Sequence, residues 1–221
     1  MMSRLVVDHV LFDLDGTLVD STASVRRNWA RIATLIGRPG HDLVGDRHGI
    51  PGHQVLRTVA PELSEARIRE LDQSLIDGEV SDTGDVTATA GAATLLSAIP
   101  PDRWSIVTSA PRRLAVTRLA AARLPVPPVM VTADDVRIGK PDPAPFLLAV
   151  DRLGSVPSRC LVIEDAPAGI SAARAAGCPA LGVLTTFAHL DADTVADLTA
   201  VTVVPTAEGL AIAYPTEEPS S

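Results

Sequence analysis

The stretch that most constrains this chain is Val10-Leu11-Phe12-Asp13-Leu14-Asp15-Gly16-Thr17-Leu18-Val19-Asp20. An apolar run with β propensity ends in two carboxylates at i and i+2, and side chains two apart on a strand point to the same side. Asp13 and Asp15 therefore face one point. Gly16 follows at once and permits a turn or a close backbone approach, which puts the carboxylates at the C-terminal mouth of a strand, where open α/β sheets hold their ligands. A lone Asp-x-Asp is common in loops, so the weight of this pair rests on what lies downstream.

Past the opening strand the periodicity turns helical. Ser21 or Thr22 reads as the N-cap of a helix carrying Val25, Trp29, Ile32, Ala33 and Ile36, with Gly37 as its stop. A loop rich in Gly, His and Pro leads to a short helix from His53 to Val59, and Ser64 caps another that carries Ile68, Leu71, Leu75 and Ile76 to about Glu79. No strand is expected in residues 21–85, which close on the turn-rich, acidic Ser81-Asp82-Thr83-Gly84-Asp85.

From there helix and strand alternate, the pattern of a parallel sheet with crossover helices. Expected helices are 91–98, Arg112 to Arg123 with Pro111 as first helical residue, one capped by Asp142 that stops at Gly154, and Ile170 to Ala176. Expected strands are Trp104 to Thr108, Val129 to Thr132, Leu161 to Ile163 ending in Glu164-Asp165, Ala180 to Leu184 and Val201 to Val204. The tail from Pro215 to Ser221 reads as disordered. The fold class is thus α/β, with a core of residues 1–20 and 86–221 interrupted by a helical module at 21–85.

Composition excludes several functions. With a net charge of −8 and no basic run interleaved with aromatics, the chain would repel a nucleic acid. The N-terminus lacks a signal-peptide pattern and no segment approaches a membrane span, so a cytoplasmic protein is expected. Cys160 and Cys178, the only 2 cysteines, each border an apolar run and suit reduced core thiols. Among 19 basic residues Lys140 is the only lysine. A sequence that otherwise uses guanidinium has kept a compact point charge in a Gly/Pro-fixed loop.

The other strand mouths complete a site. Thr108 and Ser109 offer a hydroxyl and backbone N–H groups ahead of a helix N-terminus, a way of holding an anion. Glu164 and Asp165 end a third strand, and Lys140 leads into a helix. If these converge, carboxylates about 5 Å apart repel by about 3 kcal/mol per pair at an effective dielectric near 20, more than one lysine offsets. A hard divalent cation such as Mg²⁺ offsets it with oxygen ligands and leaves positions for water and substrate phosphate. Together these groups describe a phosphate site.

At this point the residues carry a family resemblance. Asp13-Leu14-Asp15-Gly16-Thr17-Leu18 resembles the first motif of the haloacid dehalogenase-like hydrolase superfamily, and Thr108 the second. Lys140 in Gly139-Lys140-Pro141-Asp142-Pro143 resembles the third, and Ile163-Glu164-Asp165-Ala166-Pro167-Ala168-Gly169 the fourth. The helical insertion resembles the small α-helical cap of that superfamily, set on a Rossmann-like core. The nearest likeness, which includes His48-Gly49, is to sugar-phosphate and polyol-phosphate phosphatases.

The resemblance implies hydrolysis of a small phosphate ester through an aspartyl-phosphate. Asp13 would be the nucleophile and Asp15 the general acid, then base. Mg²⁺ would be held by the Asp13 carboxylate, the Asp15 backbone carbonyl and Asp165, with Glu164 direct or one step removed. Thr108, the Ser109 amide and Lys140 would hold the phosphoryl group. In the cap, Arg47 and His48 are the substrate candidates, with His53 and Arg27 also within reach, although each also reads as a solvated loop residue. Trp29 reads as core filling, and Asp20, Asp134, Asp135 and Asp142 as turn or capping residues.

Three relatives within the superfamily fit less well. A dehalogenase has no leaving alcohol for Asp15 to protonate, and phosphonate cleavage needs a cap lysine that is absent. β-Phosphoglucomutase-like enzymes carry a coupling histidine on the first cap helix where this chain has Val25. A catalytically silent binding module would be expected to have lost Asp13 or Asp15. No partner beyond the phosphate ester is expected, and the chain should be a monomer or weak homodimer.

Overall fold

The structure is a computed structural model, and it describes residues 1–43, 45 and 49–216. Its centre is a parallel sheet of strands β2 (His9–Phe12), β5 (Trp104–Val107), β6 (Val129–Val131), β7 (Cys160–Glu164), β8 (Ala180–Val183) and β9 (Asp193–Val195), in the order β6-β5-β2-β7-β8-β9. The strand that carries the Asp pair is central, with Phe12 in register with Ile106 on one side and Ile163 on the other.

Helices cover both faces, which is why these strands read as continuous apolar runs rather than alternating ones. Val10 and Phe12 point to one face, where Trp104, Ile106 and Ile163 meet Ala92, Leu95 and Leu96 of α4 (Ala92–Ser97) and Ala115 and Leu119 of α5 (Arg112–Ala121). Leu11 points to the other, with Val107, Val162, Phe146 and Ala149 of α6 (Ala144–Arg152) and Ala172 of α7 (Pro167–Ala176). Phe12 and Trp104 meet edge to face, 6.1 Å between centroids. Cys160 and Cys178 are free, buried thiols in the second layer.

Two expectations about the chain ends are corrected. The opening residues form a separate strand, β1 (Met2–Val7), paired antiparallel with β11 (Gly209–Pro215), and β11 pairs in turn with β10 (Thr202–Thr206). Val201–Val204 therefore does not extend the parallel sheet, because the turn at Thr206–Gly209 is too short for a crossover and makes a hairpin. Pro215, expected to begin a disordered tail, is the last residue of β11 opposite Met2. Residues 217–221 lie outside the described residues.

The helical unit leaves the core through β3 (Val19–Asp20) and returns through β4 (Thr87–Ala88), an antiparallel pair that the sequence reading had not anticipated. Between them α1 (Thr22–Leu35), α2 (Gly52–Val59) and α3 (Glu65–Ser81) pack around Trp29, Ile32, Leu56, Ile68, Leu71 and Leu75. Ser64 caps α3 as expected, accepting from Arg67 N at 3.3 Å. Ser21 stands at the N-cap of α1 but makes no capping bond, because its hydroxyl turns to Asp15. Pro111 is extended rather than helical, one residue ahead of α5. Among the described residues, no helix is long and apolar enough to cross a membrane.

Candidate active site

Beyond Phe12 the central strand keeps its pairing for one more residue, since Asp13 N donates to Ile163 O at 3.0 Å. Leu14 then turns into the core, fully buried, while Asp13 and Asp15 on either side of it both line one cavity. Gly16 has φ +87°, and a Cβ there would sit 2.0 Å from Asp165 Oδ2. No other residue lets the first loop lie against the β7 mouth so closely.

Lys140 enters from the loop before α6 and is 1 % exposed. Its ammonium donates to Asp13 Oδ1 at 2.5 Å, Glu164 Oε1 at 2.7 Å and Val107 O at 2.8 Å. Those three bonds use all of its protons. Phe146 lies beneath it, 5.2 Å from the ring centroid. Burial works against the ammonium, yet Asp13 and Glu164 outweigh it and hold the Lys140 pKa above the ordinary lysine value. The single lysine of the sequence thus sits where a planar guanidinium could not reach three acceptors around a point.

Glu164 is fully engaged, with Oε2 accepting from Ala166 N at 2.8 Å. Gly169 of α7 makes room for it, because a Cβ there would lie 1.7 Å from Glu164 Oε1. Asp165, 2 % exposed, accepts weakly from Thr17 Oγ1 at 3.4 Å. Asp13, Glu164 and Asp165 each offer an oxygen within 4.8 Å of the others. Three buried carboxylates against one ammonium leave negative charge in excess. Burial, with Glu164 repelling from its own side, raises the Asp13 pKa to about 7 despite Lys140. Burial and the Glu164 and Asp13 charges push Asp165 well above the carboxylate range. Asp165, with no cation of its own among the described contacts, is where a hard divalent cation with oxygen ligands fits.

Asp15 points elsewhere. Its Oδ1 accepts from Ser21 Oγ at 2.8 Å and its Oδ2 from Arg118 of α5 at 2.7 Å. Arg118 reaches on to Glu79 of α3 at 2.9 Å. Burial, and repulsion by Asp15, raise the Glu79 pKa to about 7 against the pull of Arg118. The Asp15 carboxylate stands outside the three-carboxylate cluster of Asp13, Glu164 and Asp165.

Thr108 lies just beyond β5, where its N–H donates to Val131 O at 2.9 Å and its hydroxyl accepts from Ala110 N at 3.1 Å. The Ser109 hydroxyl crosses to the helical unit and donates to Gly49 O at 2.7 Å. Asp13, Asp15, Thr108 and Ser109 face a cavity of about 340 Å³ whose far side is Val25, Trp29, His53, Asp72 and Glu79 of the helical unit.

Of the other cap candidates, Arg47 and His48 lie outside the described residues. Arg27 is turned away, with a bidentate pairing to Asp82 and further bonds to Asp85. His53 lines the cavity, with Nδ1 3.7 Å from Asp72. Trp29 fills the helical core as expected, and the four acids set aside as turn residues behave so. Asp20 accepts from Thr22 N, Asp134 from Arg112 N, Asp135 from Thr132 N and Asp142 from Ala144 N. The reading missed Ser21 as a partner of Asp15, and it missed Arg118 and Glu79 altogether. Arg118 did leave a signal, since it falls at i+4 and i+3 from Leu114 and Ala115 on the buried stripe of α5.

The sequence model of the haloacid dehalogenase-like hydrolases matches residues 7–177, spanning every motif described above. Hexitol phosphatase A of Escherichia coli is 42% identical over 178 residues, which are 78% of this chain and 81% of that protein. Glycerol-1-phosphate phosphohydrolase 1 of Saccharomyces cerevisiae is 29% identical over 194 residues, 83% of this chain and 77% of its own. In fold, a β-phosphoglucomutase from Clostridium difficile superposes with a TM-score of 0.76 at 21% identity, covering 87% of this chain and 92% of that one. On the strength of the match across its core motifs, the chain belongs to the haloacid dehalogenase-like hydrolase family.

Proposed function

We propose that this chain is a Mg²⁺-dependent phosphatase that hydrolyses the monoester of a small sugar or polyol through an aspartyl-phosphate on Asp13. The observation that carries the reading is the buried Lys140 bond at 2.5 Å to Asp13, which stands beside Asp165 and itself lines the cavity. The residues that resemble the four family motifs are thereby assembled around one carboxylate.

In the first half-reaction an Asp13 oxygen attacks phosphorus and the ester P–O bond breaks. Asp15 gives its proton to the departing alcohol oxygen. In the second, Asp15 takes a proton from water as that water attacks the aspartyl-phosphate, which releases inorganic phosphate and restores Asp13. Thr108 and the Ser109 amide orient the phosphoryl oxygens. Lys140 first restrains the Asp13 charge, and it contacts a phosphoryl oxygen only by giving up one of its three present acceptors. Asp13, Asp165 and the Asp15 carbonyl would hold Mg²⁺, which when bound would supply positive charge where the phosphoryl oxygens become more negative.

The helical unit, residues 21–85, acts as a cap over the core, and its face of the cavity receives the alcohol part. Asp72 is an acceptor suited to hydroxyl groups. The named activities of the two curated relatives, on hexitol and glycerol phosphates, agree with such an alcohol. The phosphomutase alternative needs a place for a second phosphate. Among the described residues lining the cavity, the basic side chains are His53 and Arg118, and Arg118 already lies between two carboxylates. Val25 also stands where the coupling histidine of the mutases is expected.

The test is phosphate release from a panel of sugar, polyol and nucleotide monophosphates, with Mg²⁺ and with chelator, alongside Asp13→Asn. Metal-dependent release that disappears in Asp13→Asn is expected. Release that survives the substitution, or none from any ester, overturns the reading.

A further inference from the structure

Arg118 is a buried arginine on the side of α5 that faces the cavity, with its side chain 5 % exposed. One terminal nitrogen donates to Asp15 Oδ2 at 2.7 Å and the other to Glu79 Oε2 at 2.9 Å. The guanidinium fork fixes the angle between its donors, so the two carboxylates are held relative to each other as well as to α5. Ser21 occupies the other Asp15 oxygen at 2.8 Å. With a donor on each oxygen, the Asp15 carboxylate has no free rotation about its last bond.

Both ties lead to the helical unit. Ser21 is the residue from which α1 starts, and Glu79 lies in the last turns of α3. Other core-to-unit contacts are more exposed. The Arg113–Asp77 pair has side chains 62% and 51% exposed, a setting in which ion pairs hold little, whereas Arg118–Glu79 is 5% and 7% exposed. A shift of the helical unit would withdraw Glu79 and Ser21 together, leaving Asp15 tied only to an Arg118 that has lost its second anchor.

We propose that Arg118 is a positioning residue: it orients the Asp15 carboxylate toward its proton-transfer task and, through Glu79, makes that orientation conditional on the helical unit being seated on the core. This rests on Asp15 being the acid and base of the phosphatase reaction. Asp15 transfers its proton to the leaving oxygen, so the contribution of Arg118 depends on how much the leaving group needs that proton. An alkoxide needs it; p-nitrophenolate leaves without one at neutral pH. A residue that merely held the fold would serve both esters alike.

The experiment compares sorbitol 6-phosphate with p-nitrophenyl phosphate, both with Mg²⁺, in the wild-type chain, Arg118→Met, Arg118→Lys and Glu79→Ala. Arg118→Met is expected to lower kcat for the alkyl ester by about a hundredfold and for the aryl ester by less than about threefold. Arg118→Lys should recover part of the alkyl-ester rate, and Glu79→Ala should show the same split with a smaller loss. Equal losses on both esters, or no loss on the alkyl ester, overturn the proposal. Should Arg118→Met fail to fold, the split in Glu79→Ala and Arg118→Lys decides it by the same criterion. Wild-type protein that releases phosphate from neither ester would instead sink the phosphatase reading, and the role of Arg118 with it.

Discussion

Lys140 Nζ lies 2.5 Å from Asp13 Oδ1 and 2.7 Å from Glu164 Oε1, and so bridges the ends of two neighbouring strands, β2 and β7. Among the described residues, the one cation within the buried cluster is shared between a proposed nucleophile and a carboxylate that is itself locked to Ala166 N. Lys140 thus restrains the Asp13 carboxylate against the burial and the Glu164 charge that raise its pKa.

Replacing Lys140 by Met should leave Asp13 and Glu164 buried without their cation. Breaking one side of a buried ion pair costs about 3–5 kcal/mol, so a large fall in the urea midpoint is expected along with loss of phosphate release. Lys140→Arg should not restore activity, because a planar fork cannot serve three acceptors around one point. Urea unfolding followed beside the phosphate assay checks both, and wild-type activity in Lys140→Arg would contradict the point-charge account.

The pH dependence of stability has a definite sign. Burial raises the Glu79 pKa from 4.5 to about 7 in the folded protein, so between those values the folded chain keeps a proton that the unfolded chain has lost. Folded protein then binds more protons than unfolded, and stability falls as pH rises through that window. The raised pKa values of Asp13 and Asp165 act in the same direction when no metal is bound. Metal-free protein should accordingly show a higher urea midpoint at about pH 5.5 than at about pH 8, with a smaller difference in Glu79→Gln. A difference of opposite sign, or one unchanged by the substitution, would count against Glu79 being buried beside Arg118.

What the sequence disclosed about the site follows from how local each signal was. Asp13 and Asp15 were legible because an apolar central strand stops at them, and Lys140 because its chemistry is unique in the chain. Asp20, Asp135 and Asp142 were legible for the same reason, each pairing with a backbone N–H 2 or 3 residues away, whereas Asp134 takes Arg112 N from 22 residues away. Arg118 shares the buried stripe of α5 with Leu114 and Ala115, which marks it as turned inward, but no local rule names the partners it meets there. Arg113 meets Asp77 at the surface, while Arg118 meets Asp15 and Glu79 from segments 103 and 39 residues away. In the fold, the terminal strand β11 was hidden by a polar tail, although Leu210, Ile212 and Tyr214 alternate as a half-buried strand requires. Its partner β1 was masked because Leu5-Val6-Val7 runs on to Val10-Leu11-Phe12 with only Asp8 and His9 between them.

The metal expectation turns on Asp165 and can be tested without catalysis. Its carboxylate is buried, it is repelled by Glu164 and Asp13, and Lys140 is engaged with those two instead. Binding of Mg²⁺ to the folded state alone should raise the melting temperature, by about 2.7 kcal/mol of stability at a hundredfold excess over Kd. Asp165→Asn removes the uncompensated charge, so the metal-free variant should be at least as stable as the wild type while gaining little from Mg²⁺. Gly16→Ala should lose the Mg²⁺ response for a different reason. Its backbone has φ +87° and its Cβ would lie 2.0 Å from Asp165 Oδ2, so the loop must retreat from the carboxylate. That variant should be less stable than the wild type even without metal. Thermal melts with and without Mg²⁺ separate the two: one variant loses the response with its fold strengthened, the other with its fold weakened. A full Mg²⁺ shift in Asp165→Asn would mean that the cation binds away from the cluster at the β7 mouth.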